Sequence, residues 1–470
     1  MKVLVVGHCP LPWEDLERSY GPGTRTWQFA KPLLADGHKV TVLASRIPYV
    51  YPDSIEPVTR SEENGCAIYR ADQTEFEAGL SKYDILEDVD PDCIVGATAY
   101  PSYVAGLIAG ERPYWVDVFG SILAEGQAKA AAYDDNAFLE HYQRMNNTIV
   151  RTGDKFSTVS RRQSYELIGQ LGCLARLGAE TMGYEFAVSI PCGVQPIEFP
   201  PTADPTGGAA PEGSFIVLWS GGFNTWTDVD TLFEGMEIAM AGSPRVRFVS
   251  TGGSIEGHDE KTYPRFEEMV RGSEYRDRYH LLGWVTRGEA MSYYRAASVG
   301  INIDAMHYEV TFGSRNRILE WGLAGLPSIS SDLCELTEEM SKDGMLFTIP
   351  VGDPQALAEM VLDLEGDRDK AADIGGRLPD YILDRYSFEK TSQPLRDWVR
   401  DPAHSPDFEL VSTFRSELFT STLEKLKPAV TADSSAAAKL AHYLKTEGAV
   451  STARRVVPFI KRRTSPGGGE

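Results

Sequence analysis

A chain of 470 residues exceeds one ordinary hydrophobic core, so two domains are expected. Lys and Arg total 46 against 68 Asp and Glu, a net charge of −22, which argues against nucleic-acid backbone binding as the main task. That balance still leaves room for a locally basic cleft. No run reaches the roughly 18–20 apolar residues of a membrane span, and the six scattered cysteines form no CxxC pair, which points to buried free thiols in a reducing, cytoplasmic setting.

The chain opens with Lys2–Val6, an apolar run suited to a strand buried on both faces and too short for a secretory leader. A loop containing Gly21-Pro22-Gly23 is expected next. Then Thr24–Asp36 carries apolar residues at helical spacing, disturbed by Pro32 and stopped at Gly37. Val40–Leu43 reads as the following strand. The same grammar continues with strands at 93–95, 114–116, 155–160 and 187–191, and a helix at 102–109. Residues 200–213, with four prolines and three glycines, read as a linker. Beyond it the alternation restarts: a strand at 215–220, a helix at 229–240, then strands at 247–250, 279–282, 299–303, 328–330 and 346–349. Such alternation predicts two doubly wound, mostly parallel α/β domains, with a cleft between the carboxyl ends of their sheets. After about residue 402 the pattern weakens to a helix at 408–427. The segment 436–463 then holds seven Lys/Arg and one acidic residue, Glu447; it reads either as a basic membrane-surface helix or as a helix lying on the protein's own acidic surface.

The strongest constellation is Tyr308-Glu309-Val310-Thr311-Phe312-Gly313-Ser314-Arg315-Asn316-Arg317-Ile318-Leu319-Glu320, continuing to Ala324-Gly325-Leu326-Pro327. Gly313 and Ser314 are expected to form a loop and N-cap, with Ile318, Leu319 and Leu323 on the buried helical face. A helix amino end exposes unpaired N–H groups and partial positive charge, which suits a diphosphate. Arg315 and Arg317 add charge-assisted donors there. Glu320, about one and a half turns on, is placed to accept ribose hydroxyls; the bland alternative is an ion pair between Arg317 and Glu320 on a helix surface.

These residues resemble the retaining glycosyltransferases of the family-4 type, through Glu309, Phe312-Gly313, Glu320 and Ala324-Gly325-Leu326-Pro327. The resemblance extends to Gly37-His38-Lys39-Val40-Thr41-Val42 and to Leu282-Gly283-Trp284-Val285, and covers about residues 1–400. It implies the GT-B architecture: two Rossmann-like domains facing across a cleft, with an acceptor domain at 1–199, a linker at 200–213, a donor-nucleotide domain at 214–400 and a helical extension with a basic tail at 401–470. It implies a nucleotide-diphosphate sugar as donor substrate, no cofactor, no metal and retention of anomeric configuration. The acceptor is left open: glycan, lipid-linked or small molecule.

Two departures from the family pattern stand out. Ten residues separate Glu309 from Glu320 where the family usually has seven, and Ser220-Gly221-Gly222-Phe223-Asn224-Thr225 stands where relatives often carry Arg and Lys for the donor phosphates. Gly221 and Gly222 still let backbone approach a ligand, Asn224 and Thr225 can donate hydrogen bonds, and Arg315 with Arg317 are expected to supply the charge. Asp228-Val229-Asp230 has the spacing of a metal motif but sits in a first helical turn, where carboxylates are favoured in any case. In the first domain, Gly21, Gly23, Thr24 and Arg25 are expected either to reach the cleft as an acceptor or phosphate loop or to form a plain turn. Asp117, matching the family's acidic position, is expected to orient the acceptor hydroxyl or to cap a turn. Arg161 or Arg162 would hold an anionic acceptor or lie in solvent. The reading is therefore a sugar transferase using Asp117, Arg315, Arg317 and Glu309. A sugar-nucleotide epimerase and a catalytically silent binding subunit are the alternatives; a dinucleotide fingerprint is missing.

Overall fold

The computed structural model describes residues 1–426 apart from 15, 17–20, 49, 52–54 and 80. Its strands are β1 (Lys2–Cys9), β2 (Lys39–Arg46), β3 (Val58–Glu63), β4 (Cys66–Ala71), β5 (Cys93–Gly96), β6 (Tyr114–Val118), β7 (Lys155–Thr158) and β8 (Ala187–Ser189) in the first half. The second half holds β9 (Phe215–Ser220), β10 (Val246–Thr251), β11 (Tyr279–Leu281), β12 (Val299–Asn302), β13 (Ser328–Ser331) and β14 (Phe347–Ile349). They form two sheets, ordered β3-β4-β2-β1-β5-β6-β7-β8 and β11-β10-β9-β12-β13-β14. The second is wholly parallel, and in the first only β3 runs antiparallel, against β4. Helices cover both faces, so central strands such as Phe215–Ser220 are buried along their whole length. The expected architecture of two doubly wound halves is present.

In each sheet the chain order reverses beside the first strand of its domain, β1 or β9. This is the switch point where parallel α/β sheets open a crevice at their carboxyl ends. The β3–β4 hairpin had no counterpart in the sequence reading, because Val58–Glu63 is a half-exposed edge strand with polar side chains. Residues 190–214 contain no helix or strand apart from a bridge between Val194 and Ser387. The second expected boundary differs. The chain crosses back at Tyr386–Phe388, alongside that linker, and the helix Gln393–Arg400 packs on the first domain through Leu395 and Val399. The helix Phe408–Leu426 also lies on the first domain: Arg415 meets Asp154 at 2.7 Å, both fully buried, and just before the helix Asp407 pairs with buried Arg176 at 2.8 Å. The basic segment 436–463 lies outside the described residues. Among the described residues no helix is long and apolar enough to cross a membrane.

Candidate active site

The turn before Ile318 sits in the crevice between the two domains. A β-carbon on Gly21, at the amino end of the first domain's helix Gly21–Ala35, would lie 2.9 Å from Asn316 Nδ2, at the amino end of the helix Asn316–Leu323. Ser160 Oγ of the first domain donates to the Phe312 carbonyl at 2.6 Å. Helices from both domains therefore meet at one place, and that of the second domain presents first-turn N–H groups that its own helix cannot pair. The N-cap of Asn316–Leu323 is Arg315, whose side chain makes no cap bond. Ser314 is thus not the cap; Gly313 instead closes the short helix Tyr308–Phe312, its N–H donating to the Glu309 carbonyl at 2.8 Å.

The two arginines have separate tasks. Arg315 is buried between carboxylates, with Nε 2.7 Å from Asp304 and Nη2 3.2 Å from Glu309. Its guanidinium is committed to protein, which corrects the expectation that it grips a diphosphate alongside Arg317. Arg317 lies over the Trp219 ring, 4.3 Å from its centroid, and donates to the Gly222 carbonyl at 3.1 Å. Its Nη1 is shut away from solvent without a partner, and burial lowers its pKa to about 10, so the group remains charged at neutral pH. Arg317 thus reaches the Gly221-Gly222 turn itself.

That turn depends on its glycines. Gly221 has φ +90°, and a β-carbon on Gly222 would lie 2.4 Å from Ile255 Cγ1. Asn224 N–H donates to Thr227 Oγ1 at 3.1 Å, and Thr225 Oγ1 is buried without a partner. Glu320, expected to hold a ribose, is half-buried and pairs with Arg287 at 2.9 Å, not with Arg317. Asp228 caps the helix Val229–Gly242 through Thr231, and Asp230 pairs with Arg265 on the surface, so both serve structural roles.

Glu309 is the most perturbed carboxyl of the cleft. Burial pushes its pKa up to about 7; Asp304 and Glu125 act in the same direction, while Arg315 opposes them. A β-carbon on Gly120 of the first domain would lie 3.9 Å from its Oε1, so this oxygen faces the opposite domain. Despite the altered spacing, Glu309 is in the crevice. Asp304, just past the carboxyl end of β12, was not singled out from the sequence.

In the first domain the expectations for Arg25 and Asp117 are corrected together. Both side chains are fully buried and form a bidentate pair at 3.0 and 2.7 Å. Asp117 also accepts from Ser157 Oγ at 2.7 Å and from the Thr98 N–H at 3.0 Å. Arg25 spends its remaining donors on Gln28 and on the Ile190 and Pro191 carbonyls. Neither group faces an acceptor. The Gly21-Pro22-Gly23 stretch is helical, not a loop; Gly23 packs so closely that a β-carbon would lie 1.8 Å from the Pro10 carbonyl oxygen, and the neighbouring Thr24 is half-buried. Arg161 and Arg162 bridge the domains, to Glu335 at 3.0 Å and Glu338 at 2.5 Å, and are not held out to an anionic acceptor.

Residues 214–367, about a third of the chain, match the family described as glycosyl transferases group 1. No curated protein matches the chain. Among solved structures it is similar to sucrose-phosphate synthase from Thermosynechococcus elongatus, at 18% identity and TM-score 0.62, over 85% of this chain and 98% of that one. It is similar to Anabaena HepE in complex with UDP and glucose, at 15% identity and TM-score 0.60, over 85% and 99%. A further likeness is to trehalose-6-phosphate from E. coli bound with UDP-2-fluoro glucose, at 11% identity and TM-score 0.61, over 86% and 100%. The chain has the GT-B fold.

Proposed function

We propose that this protein moves a sugar from a nucleotide-diphosphate sugar to an acceptor hydroxyl, as a hexosyltransferase of the family-4 type, with retention and without a metal. The carrying observation is Arg317: a half-buried side chain whose Nη1 is sealed from solvent without a partner, set against the Gly221-Gly222 turn and within the first turn of a helix whose amino end has no side-chain cap. A departing diphosphate gains negative charge, and preorganised donors in a desolvated cleft stabilise that charge as it develops. The group 1 match over this domain and the UDP-bearing neighbours support a nucleotide donor. Retention rests on the family resemblance alone. Glu309, with Oε1 towards the first domain, is assigned to the donor sugar, and Arg315 to holding Glu309. A cytoplasmic setting, with peripheral membrane contact through residues 436–463, belongs to the same proposal and rests on the charge of that segment.

Titration calorimetry with UDP tests the assignment. Arg317→Ala removes charge-assisted donors worth about 1.5–3 kcal/mol and is expected to weaken binding roughly 10- to 100-fold. Arg317→Lys is expected to recover only part of it, since an ammonium lacks the planar fork that stacks on Trp219. Unchanged UDP affinity in a folded Arg317→Ala protein would reject the proposal. Incubation with donor alone separates transfer from epimerisation, because an epimerase converts the donor without an acceptor.

A further inference from the structure

Two buried acids, Asp304 and Glu309, share the Arg315 guanidinium, and their claims on it are unequal. Asp304 Oδ2 receives Arg315 Nε at 2.7 Å and Asn302 Nδ2 at 2.8 Å, and the Asp304 N–H is held by Ser331 Oγ at 3.1 Å. Glu309 Oε2 has Arg315 Nη2 at 3.2 Å, while Nη1 of the same guanidinium donates to the Ser314 carbonyl at 3.0 Å. Each donor aimed at a carboxylate favours its ionised form. Asp304, with the shorter contact and the second donor, therefore holds the negative charge that balances Arg315. A charge on Glu309 would be left without a counter-ion, and burial opposes that charge as well. Yet Glu309 is not sealed: a tenth of its side chain stays accessible, and Oε1 faces Gly120 of the first domain.

The remaining groups around Glu309 are neutral, negative or turned elsewhere. His307 accepts the Glu309 N–H on Nδ1 at 3.0 Å, and burial lowers its pKa, so it stays uncharged. Glu125 of the first domain adds repulsion; its own partners are the Tyr142 hydroxyl at 2.9 Å, His258 at 3.7 Å and Lys129 at 4.0 Å. Arg317 is turned to Trp219 and the Gly222 carbonyl, and Cys334 is a buried thiol whose pKa burial raises. The main chain on either side of Asp304 is clamped to the loop that follows the Gly221-Gly222 turn. There the Asp228 N–H donates to the Ile303 carbonyl at 3.1 Å, and the Ala305 N–H to the Trp226 carbonyl at 2.8 Å.

We propose that Asp304 is a positioning residue: by engaging Arg315 it keeps Glu309 an un-ionised acid, which admits the doubly negative donor and donates a hydrogen bond to the donor sugar. This role takes its donor from the transferase reading, whereas the protonation state of Glu309 stands without it. An ionised Glu309 would set an unbalanced carboxylate in the crevice that receives a diphosphate. A neutral acid adds a donor and no repulsion.

Infrared titration of the unliganded full chain from pH 5 to pH 9 reads the carboxyl proton directly. The C=O band of a protonated carboxyl that disappears in Glu309→Gln identifies Glu309, and its midpoint in the wild type is expected at about 7. Asp304→Asn releases Arg315 to pair with Glu309 and is expected to lower that midpoint by about one pH unit or more. Asn302→Ala, which removes only the second donor to Asp304, is expected to shift it the same way by less, and serves if Asp304→Asn does not fold. Calorimetry with UDP-glucose supplies the ligand arm, since its diphosphate does not titrate in this range. Wild-type affinity is expected to fall about fivefold from pH 6 to pH 8.5, to stay level in Glu309→Gln, and to fall at lower pH in Asp304→Asn. A merely structural Asp304 would lower affinity evenly and leave both midpoints in place. That result, a missing Glu309 band, or a pH-independent UDP-glucose affinity in the wild type would each overturn the inference. Absence of UDP binding by the wild type would instead reject the transferase reading, and with it the donor contact, while the infrared midpoints still judge Asp304.

Discussion

Glu309 makes the transferase site sensitive to pH in a definite direction. Its folded pKa, about 7, lies above the ordinary carboxyl value of 4.5, so between those limits the folded state binds more proton than the unfolded one. Stability contributed by this group is therefore present at low pH and is lost as pH rises through about 7. Because a pKa unit corresponds to about 1.4 kcal/mol, the loss is on the order of 3 kcal/mol across that window. Melting curves of wild type and Glu309→Gln, taken from pH 5 to pH 8, are expected to diverge, the wild type falling further; parallel curves would remove Glu309 from its buried, proton-sharing position. The groups that set this value come from several elements: Asp304 beyond β12, Glu125 on the helix Ile122–Tyr133, and Arg315 between the carboxylates. That distribution limits what sequence can reveal at a single residue. Arg317 and Glu309 could be singled out because their helix context is local. The burial of Arg25 against Asp117 was not, since 92 positions separate the partners and each alone looks like a cleft residue.

At the scale of elements, the loops after β9 and β10 must pass each other without side chains. Gly252 has φ +127°, and a β-carbon on it would lie 2.2 Å from the Gly221 carbonyl oxygen, a backbone atom with nowhere to go. Gly252→Ala combines an unfavourable dihedral with that clash. It is expected to cost about 1–3 kcal/mol or more of stability and to displace the Gly221-Gly222 turn, weakening UDP binding even in the folded fraction. Gly257→Ala, at φ +73° with open space around it, is expected to cost stability without that loss of binding. Calorimetry and denaturant melts on the two variants separate the effects. Alternation of apolar runs and helical periods was enough to place the central strands, because each is buried on both faces and reads as continuous apolar sequence. Edge strands such as β3 lack that signal. The helix Gly21–Ala35 already includes the Gly21-Pro22-Gly23 stretch, which was read as loop because glycine and proline are the residues that most often interrupt a helix.

The molecule as a whole is held together at three places. The two crossings run side by side, with the Val194 N–H donating to the Tyr386 carbonyl at 2.8 Å and the Phe388 N–H to the Val194 carbonyl at 2.9 Å. On one flank of the crevice, Arg161 and Arg162 reach Glu335 and Glu338; on the other, Lys261 Nζ donates to the Ala132 carbonyl at 2.7 Å and lies 4.6 Å from the Tyr133 ring centroid. These flanking contacts are partly exposed and individually worth little, so the domains can part without loss of either core. The return of the chain to the first domain is a different matter. Asp154 accepts from Arg415 and from the Ser405 N–H, while Arg176 is satisfied by Asp407 and Ser405, all deep within that domain. Ending the chain at Arg400 would strip the charged partners from a buried carboxylate and a buried guanidinium, leaving Asp154 the Tyr114 N–H and Arg176 the Val150 and Gly153 carbonyls, and breaking a buried pair in this way costs about 3–5 kcal/mol. That sum rivals the whole stability of a domain, about 5–15 kcal/mol. A chain ending at Leu426 keeps both pairs and is expected to melt as the full-length protein does. The chain ending at Arg400 is expected to lose the cooperative melting of its first domain, while the second, whose core is drawn from residues 192–386 except for Val159, retains its transition. Differential scanning calorimetry of the two truncations distinguishes these outcomes, and equal stability would show that the carboxyl-terminal helix is an ornament on the first domain instead of part of its core.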